Sequence, residues 1–236
     1  MLSLLSSQLP ERNRLLAALP GEQQAQLAPN LDSVRLEARQ VLALLNQPIE
    51  HVYFPRGAVL TLLVPMEDRA PVGGAIVGNE GLVGLEVFLG SGHATEEIVV
   101  QIPGEAARMR AATFADVVRQ SMHLQAALER YALALINQLV RTAGCNRLHS
   151  VDQRCARWLL MCDDRMRGGT FPFTHESLAR LLGVRRASVT LAAWLFQQQG
   201  IIAYRHGWMS IVDRQRLEMA ACEDYRLTPY DYERLH

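Results

Sequence analysis

The sequence predicts an α+β protein in three parts: a roll of short strands, one long helix, and a compact helical unit that ends in a hairpin. Three observations carry this. Residues 32–112 are short β-type runs cut by Gly, Pro and Asn turns, the pattern of a sandwich or jelly-roll barrel. From Thr113 the apolar period becomes helical, and no Gly or Pro falls between Met122 and Gly144. Residues 173–202 then read as two helices around Gly183, with two β-branched runs after them around a Gly-containing turn.

Taken in order, residues 11–28 suggest one or two short helices. Strands are predicted at 33–36, 40–45, 51–54, 59–64, 75–77, 98–102 and 106–110, with Pro48, Pro55, Gly57, Pro65, Gly73-Gly74 and Pro103-Gly104 between them. A short helix covers 114–119, and a long one runs from 122 to about 145. Leu124, Leu128, Tyr131, Leu135, Leu139 and Thr142 keep four-and-three spacing along it, a seam like that of a coiled coil. Leu133, Ile136 and Val140 form a second apolar face. Two such faces suit a helix that packs on its own barrel and on a partner helix, and the seam from Leu124 to Leu139 is assigned to the dimer interface. The alternative is a single thick stripe facing the core of a monomer. Another helix covers 150–166, and Gly168-Gly169 with Pro172 form a loop.

The C-terminal pattern is the most specific. Thr174 suits an N-cap, and Glu176 places negative charge in the first turn, where the helix dipole favours it. Leu178, Leu181 and Leu182 are apolar at helical spacing, and Ala179 is small where a second helix must come close. Val189, Ala192, Ala193 and Phe196 form the buried stripe of that second helix, which leaves Arg185, Arg186 and Ser188 exposed near its N-terminus. Residues 201–204 and 209–212 are the strands of a wing with Arg205 and His206 at its tip. This is a winged helix-turn-helix of the kind that binds DNA.

Charge supports the assignment. The net charge is zero, but residues 141–216 carry twelve arginines against five acids, +7, whereas residues 1–121 carry nine against thirteen, −4. The basic excess sits around the helix-turn-helix, as phosphate binding requires. No lysine is present. No run of 18 apolar residues spans a membrane, and the N-terminus has no basic region before its apolar part, so a cytoplasmic location is expected. The four cysteines (145, 155, 162, 222) lack C-x-x-C spacing and read as free thiols. Cys145 with His149, and Cys155 with Cys162, place two potential ligands on one helix face, but two ligands do not make a metal site, and none is assigned. No nucleophile–base pair or Walker-type loop appears, so no catalytic residue is assigned and an enzyme is not expected.

Roll, long helix and winged helix in this order resemble the Crp/Fnr superfamily of bacterial transcription regulators. LARLLGVRRASVT (178–190) carries the most specific likeness, VDQRCARWLLMCDDR (151–165) resembles the connecting helix, and residues 78–84 resemble the turn that opens the effector pocket. The resemblance implies a homodimer that binds pseudo-palindromic promoter DNA and contacts RNA polymerase. It implies an effector domain at 1–121, a dimerisation helix at 122–146 and a DNA-binding domain at 147–236. By position, Arg186 matches the arginine that reads a guanine edge, Ser188 a hydroxyl on phosphate, and Thr174, His175 and Glu176 positions near the DNA backbone. Ala187 and Leu191 stand where the family often has a glutamate and a basic residue.

The effector pocket by the same likeness is Gly81, Gly84, Leu85, Glu86, Ala94 and Thr95. Members that bind cyclic nucleotides hold the ribose with a glutamate directly after the pocket glycine, where Leu85 stands here. Their Arg-Ser pair for the cyclic phosphate is replaced by His93-Ala94-Thr95-Glu96, and no arginine lies between Arg69 and Arg108. Cyclic AMP is therefore not expected to bind, and the effector is left open. Cluster-type members need N-terminal cysteines, of which there are none before Cys145, and haem ligation by His51 or His93 has no support, so no cofactor is expected. The competing reading is a small-molecule sensor whose winged helix serves protein contacts.

Overall fold

The computed structural model describes residues 13–67, 69–166 and 168–227. Residues 11 and 12 of the expected N-terminal helices, and residues 228–236 of the acidic tail, lie outside them. Two short helices, α1 (Arg14–Ala17) and α2 (Gly21–Leu27), lead into seven strands: β1 (Asp32–Leu36), β2 (Val41–Ala43), β3 (His51–Pro55), β4 (Val59–Met66), β5 (Arg69–Val77), β6 (Glu97–Ile102) and β7 (Gly104–Arg110). They form two antiparallel sheets, ordered β1-β7-β3 and β2-β6-β4-β5. Two isolated bridges, Pro48 with His93 and Tyr53 with Val83, pin the long β5–β6 connection to the roll. The strand expected at 75–77 begins at Arg69, because β4 extends the ladder across Gly73 and Gly74, which carry no β-type signal of their own.

The helices are α3 (Ala111–Gln120), α4 (Met122–Leu148) and α5 (Val151–Met166). Ser121 caps α4 by accepting from the Leu124 N–H, and the helix ends where His149 turns extended. Gly144 lies inside α4 on an open face and does not end it. The C-terminal unit then contains β8 (Thr170–Pro172), α6 (His175–Leu182), α7 (Arg186–Gln198), β9 (Ile202–Arg205), β10 (Trp208–Ile211) and α8 (Arg214–Ala220). Residues 170–172, expected as loop, pair with β10 to give a sheet ordered β8-β10-β9. Three residues between a Gly pair and a Pro carry no strand pattern, and the partner strand supplies the order.

The core divides into two clusters. One fills the roll and takes in the inner face of α4. The other begins inside the roll at Val59, Leu63, Ile76 and Ile102 and continues through Trp158 and Leu159 of α5 into the helix-turn-helix. The C-terminal unit is thus packed on the roll, without a solvated linker at this surface. The approach is close: a Cβ on Gly73 of β5 would stand 2.9 Å from the Leu181 carbonyl oxygen of α6, so only glycine fits there. A buried ion pair adds to the apolar contact. Arg165 of α5 meets Glu80 at 2.7 Å, both side chains nearly inaccessible, and also donates to Ile76 O, Met161 O and Gln138 Oε1.

Candidate nucleic-acid interface and effector region

The helix-turn-helix is built from local signals. Thr174 caps α6 by accepting from Ser177 N, Ser177 returns a bond from the Thr174 backbone, and Gly183 ends the helix at φ 63. α7 follows after one extended residue, Arg185. Val189, Ala192, Ala193 and Phe196 face inward. The wing turns on His206 and Gly207, both at positive φ (52 and 83), with Arg205 paired to Trp208. That is the two-residue hairpin turn whose twist matches its strands.

Arg185, Arg186 and Glu176 are exposed at adjoining helix N-termini, and Arg205 and His206 are exposed at the wing tip. Ser188 is half-buried, its amide bonded to Arg185 O in the first turn of α7. Thr174 uses its hydroxyl as a cap, so its part at this surface is to hold the end of α6. His175 joins three elements: its ring stacks on Tyr204 of β9 at 4.4 Å, and Nδ1 lies 3.1 Å from Thr190 Oγ1 of α7. Burial, and then the nearby Arg186 charge, push its pKa down, so the ring is neutral at pH 7. Sequence reasoning noted Leu191 only as a departure from the family pattern and passed over Thr190 and Trp194. All three continue the exposed face of α7 beyond Arg186 and Ala187 and form an open apolar strip. Their spacing from Arg186 was the available signal, since residues three to four apart share a helix face.

The β4–β5 hairpin stands beside this surface. Met66, Ala70, Pro71 and Val72 face Glu176, Arg180, Val184 and Arg186 across a cleft of ≈ 270 Å³. The N-terminal end of α7 therefore lies next to the roll.

The effector region is closed by its own side chains. A Cβ on Gly81 would fall 2.0 Å from the Tyr131 ring, whose hydroxyl donates to Leu82 O at 2.8 Å. Gly84, at φ 90, starts a short 3-10 turn. Leu85, Glu86 and Ala94 are buried, and Thr95 N donates to Glu86 Oε1 at 3.3 Å. Glu96 accepts from the Thr95 hydroxyl, and its pKa is raised, first by burial and also by Glu86. Two carboxylates, those of Glu86 and Glu96, therefore lie close enough here to repel each other. The Gly-rich stretch at 78–84 does not form an open phosphate cradle, because the Gly78 N–H points at both Glu80 oxygens, 3.1 Å away.

The expected dimer seam is corrected by the packing of α4. Leu124, Leu128, Tyr131 and Leu135 lie in the roll's core, and Leu139 is partly exposed, close to Gly74 of β5. The reason is steric: the missing side chain at Gly81 leaves a slot that the Tyr131 ring of this face fills. The face left in solvent carries Leu133, Ile136 and Val140, at 60%, 54% and 66% exposure. Cys155 and Cys162 are plain core residues of α5, each thiol pushed up to about 12 by burial.

Residues 153–220 match the Crp-like helix-turn-helix domain family. FixK2 from Bradyrhizobium japonicum has the same fold at 15% identity, covering 81% of this chain and 98% of its own, with a TM-score of 0.69. A transcriptional regulator of the Crp/Fnr family from Eubacterium rectale is similar at 16% identity, covering 89% and 98%, TM-score 0.67. The c-di-GMP-responsive global regulator CLP of Xanthomonas campestris aligns at 16% identity over 81% and 99%, TM-score 0.62. No curated protein matches the chain in sequence. The fold joins a β-roll through a long helix to a winged helix-turn-helix. The chain shares the fold of these solved structures, and its helix-turn-helix at 153–220 is the part that matches the Crp-like domain family. Among the described residues no helix is long and apolar enough to cross a membrane.

Proposed function

We propose that this protein is a sequence-specific, DNA-binding transcription regulator that acts in the cytoplasm as a homodimer on a pseudo-palindromic promoter site. One observation carries the reading: Arg185 and Arg186 are exposed at the N-terminus of α7, on the same unit as a wing with Arg205 and His206 at its tip. Arg186 reads a guanine edge, while Arg185, Arg205 and the N-terminus of α6 hold phosphates. Ala187 and Leu191 face the groove as apolar groups, suited to a thymine methyl rather than to a cytosine amine. The partner helix packs along Leu133, Ile136 and Val140, and RNA polymerase is the expected downstream contact. Cyclic AMP is not the expected effector, since Leu85 and the His93-Ala94-Thr95-Glu96 stretch replace the glutamate and the Arg-Ser pair of members that bind it.

The test is a salt-titrated binding series with Arg186→Ala. The variant is expected to lose about 1–3 kcal/mol on the best site and little on random DNA. Equal loss on both makes Arg186 a phosphate contact and overturns its role. A second reading, in which the wing unit binds protein, draws on the exposed Leu191 and Trp194. DNA affinity that falls steeply with salt, by about 0.9 log unit per phosphate contact for each log unit of salt, decides against it.

A further inference from the structure

The end of α4 and the segment after α8 bring four ligand-type side chains together. Cys145 and His149 are one turn apart at the C-terminus of α4, and Cys222 and Asp224 follow α8. One ligand atom from each lies within 4.8 Å of all the others. The two Sγ atoms are 3.5 Å apart, and both cysteines are buried. We propose that Cys145, His149, Cys222 and Asp224 form a binding site for a four-coordinate divalent ion of the zinc class.

Geometry favours an ion. Tetrahedral zinc with sulfur at about 2.3 Å and nitrogen or oxygen at about 2.0 Å has ligand-to-ligand edges of roughly 3.3–3.8 Å. The sulfurs already meet that spacing, and the other ligand atoms reach it by side-chain shifts of about an ångström. His149 is arranged as a metal-binding histidine. Its Nε2 lies 3.3 Å from Glu223 Oε1, a carboxylate placed to take the Nε2 proton of a ring that binds an ion through Nδ1. Nδ1 is buried with no hydrogen-bond partner and stands 3.6 Å from Asp224 Oδ2. A ligand nitrogen aimed into a group of thiols and a carboxylate is the arrangement that an ion completes.

Charge points the same way. Arg157 of α5 is fully buried, and its positive charge acts on both cysteines. Among the described residues its terminal nitrogens donate to Thr142 Oγ1, at 3.3 and 3.4 Å, and its Nε finds no hydrogen-bond partner. A buried guanidinium needs a countercharge. Two thiolates, one carboxylate and a divalent ion sum to −1, and binding releases the thiol protons to solvent. The ion would clamp the dimer helix to the C-terminal unit across the break at His149, closing a loop between residues 77 apart in sequence. It would therefore limit how far the winged helix swings relative to α4.

The experiment is an anaerobic cobalt(II) titration of the full-length reduced protein, followed by displacement with zinc. One equivalent is expected to bind, with thiolate-to-cobalt charge transfer in the near ultraviolet and the strong visible bands of a four-coordinate ion. Cys222→Ser should lose about half of the charge-transfer intensity. His149→Ala and Asp224→Asn, at half-buried positions that spare the core, should keep the thiolate band and bind at least tenfold more weakly. Glu223→Gln should weaken binding less than His149→Ala does. Absence of a cobalt band at micromolar metal, with both thiols titratable, overturns the proposal. So does a band that persists unchanged in Cys222→Ser. Loss of two thiols to a disulfide in the isolated protein, with no metal uptake after reduction, overturns it as well.

Discussion

Replacing Glu80 with alanine tests whether the roll and the DNA-binding unit form one mechanical body. Glu80 and Arg165 are 5% and 6% exposed, and the pair is held by contacts of 2.7 and 2.8 Å to a single carboxylate oxygen. Removing the carboxylate takes the Glu80 countercharge from a buried guanidinium that also donates to Ile76 O, Met161 O and Gln138 Oε1, and it leaves the Gly78 N–H without its acceptor. Breaking a buried pair from one side costs about 3–5 kcal/mol. For a chain of this length about 1 kcal/mol moves Tm by about 2–4 °C, so Glu80→Ala should lower it by roughly 6–20 °C. The Glu80→Leu, Arg165→Met double variant removes both charges at similar volume and should recover most of the loss. About 1 kcal/mol should remain for the Gly78 amide. Urea unfolding followed by tryptophan fluorescence gives the numbers, since Trp158 lies in the shared core. A single variant that loses under about 1 kcal/mol, or a double variant no better than the single, would refute the reasoning.

Three further outcomes follow from the same geometry. Ile136→Glu places a carboxylate on the exposed stripe of α4 and should convert a dimer to monomer in sedimentation with far-ultraviolet dichroism unchanged, whereas Leu135→Glu, buried in the roll, should unfold it. A mutant at Ile136 that stays dimeric places the contact elsewhere. His175 has a lowered folded pKa, so the unfolded chain binds a proton more readily. Stability should be full above about pH 6.5, the unperturbed histidine value, and should decline as pH falls through the folded pKa. His175→Phe keeps an aromatic ring on Tyr204 and should flatten that decline; an identical pH profile would show that another group titrates. Calorimetry with millimolar cyclic AMP should register no saturable heat, and binding coupled to tighter operator affinity would reveal an anion site formed by other residues.

Much of the fold is legible in local sequence because its signals are local. Thr174 and Gly183 bound α6 through capping and a left-handed φ, alternation marks β3 and β6, and a continuous apolar run marks β4. The basic cluster at Arg185 and Arg186 was visible for the same reason: a helix N-terminus and an apolar stripe determine between them what is left outside. Tertiary structure decided what depends on residues far apart. α4 has two apolar faces of similar strength, and periodicity does not rank them; the slot at Gly81 that admits Tyr131 does. β5 and β8 are strands because partner strands bond them, not because their residues prefer it. Glu80 meets Arg165 across 85 positions, and Cys145 meets Cys222 across 77. Neither pairing leaves a trace in spacing, because a charge or a thiol carries no period, and only the packing of α5 between the roll and the winged helix brings these groups within reach.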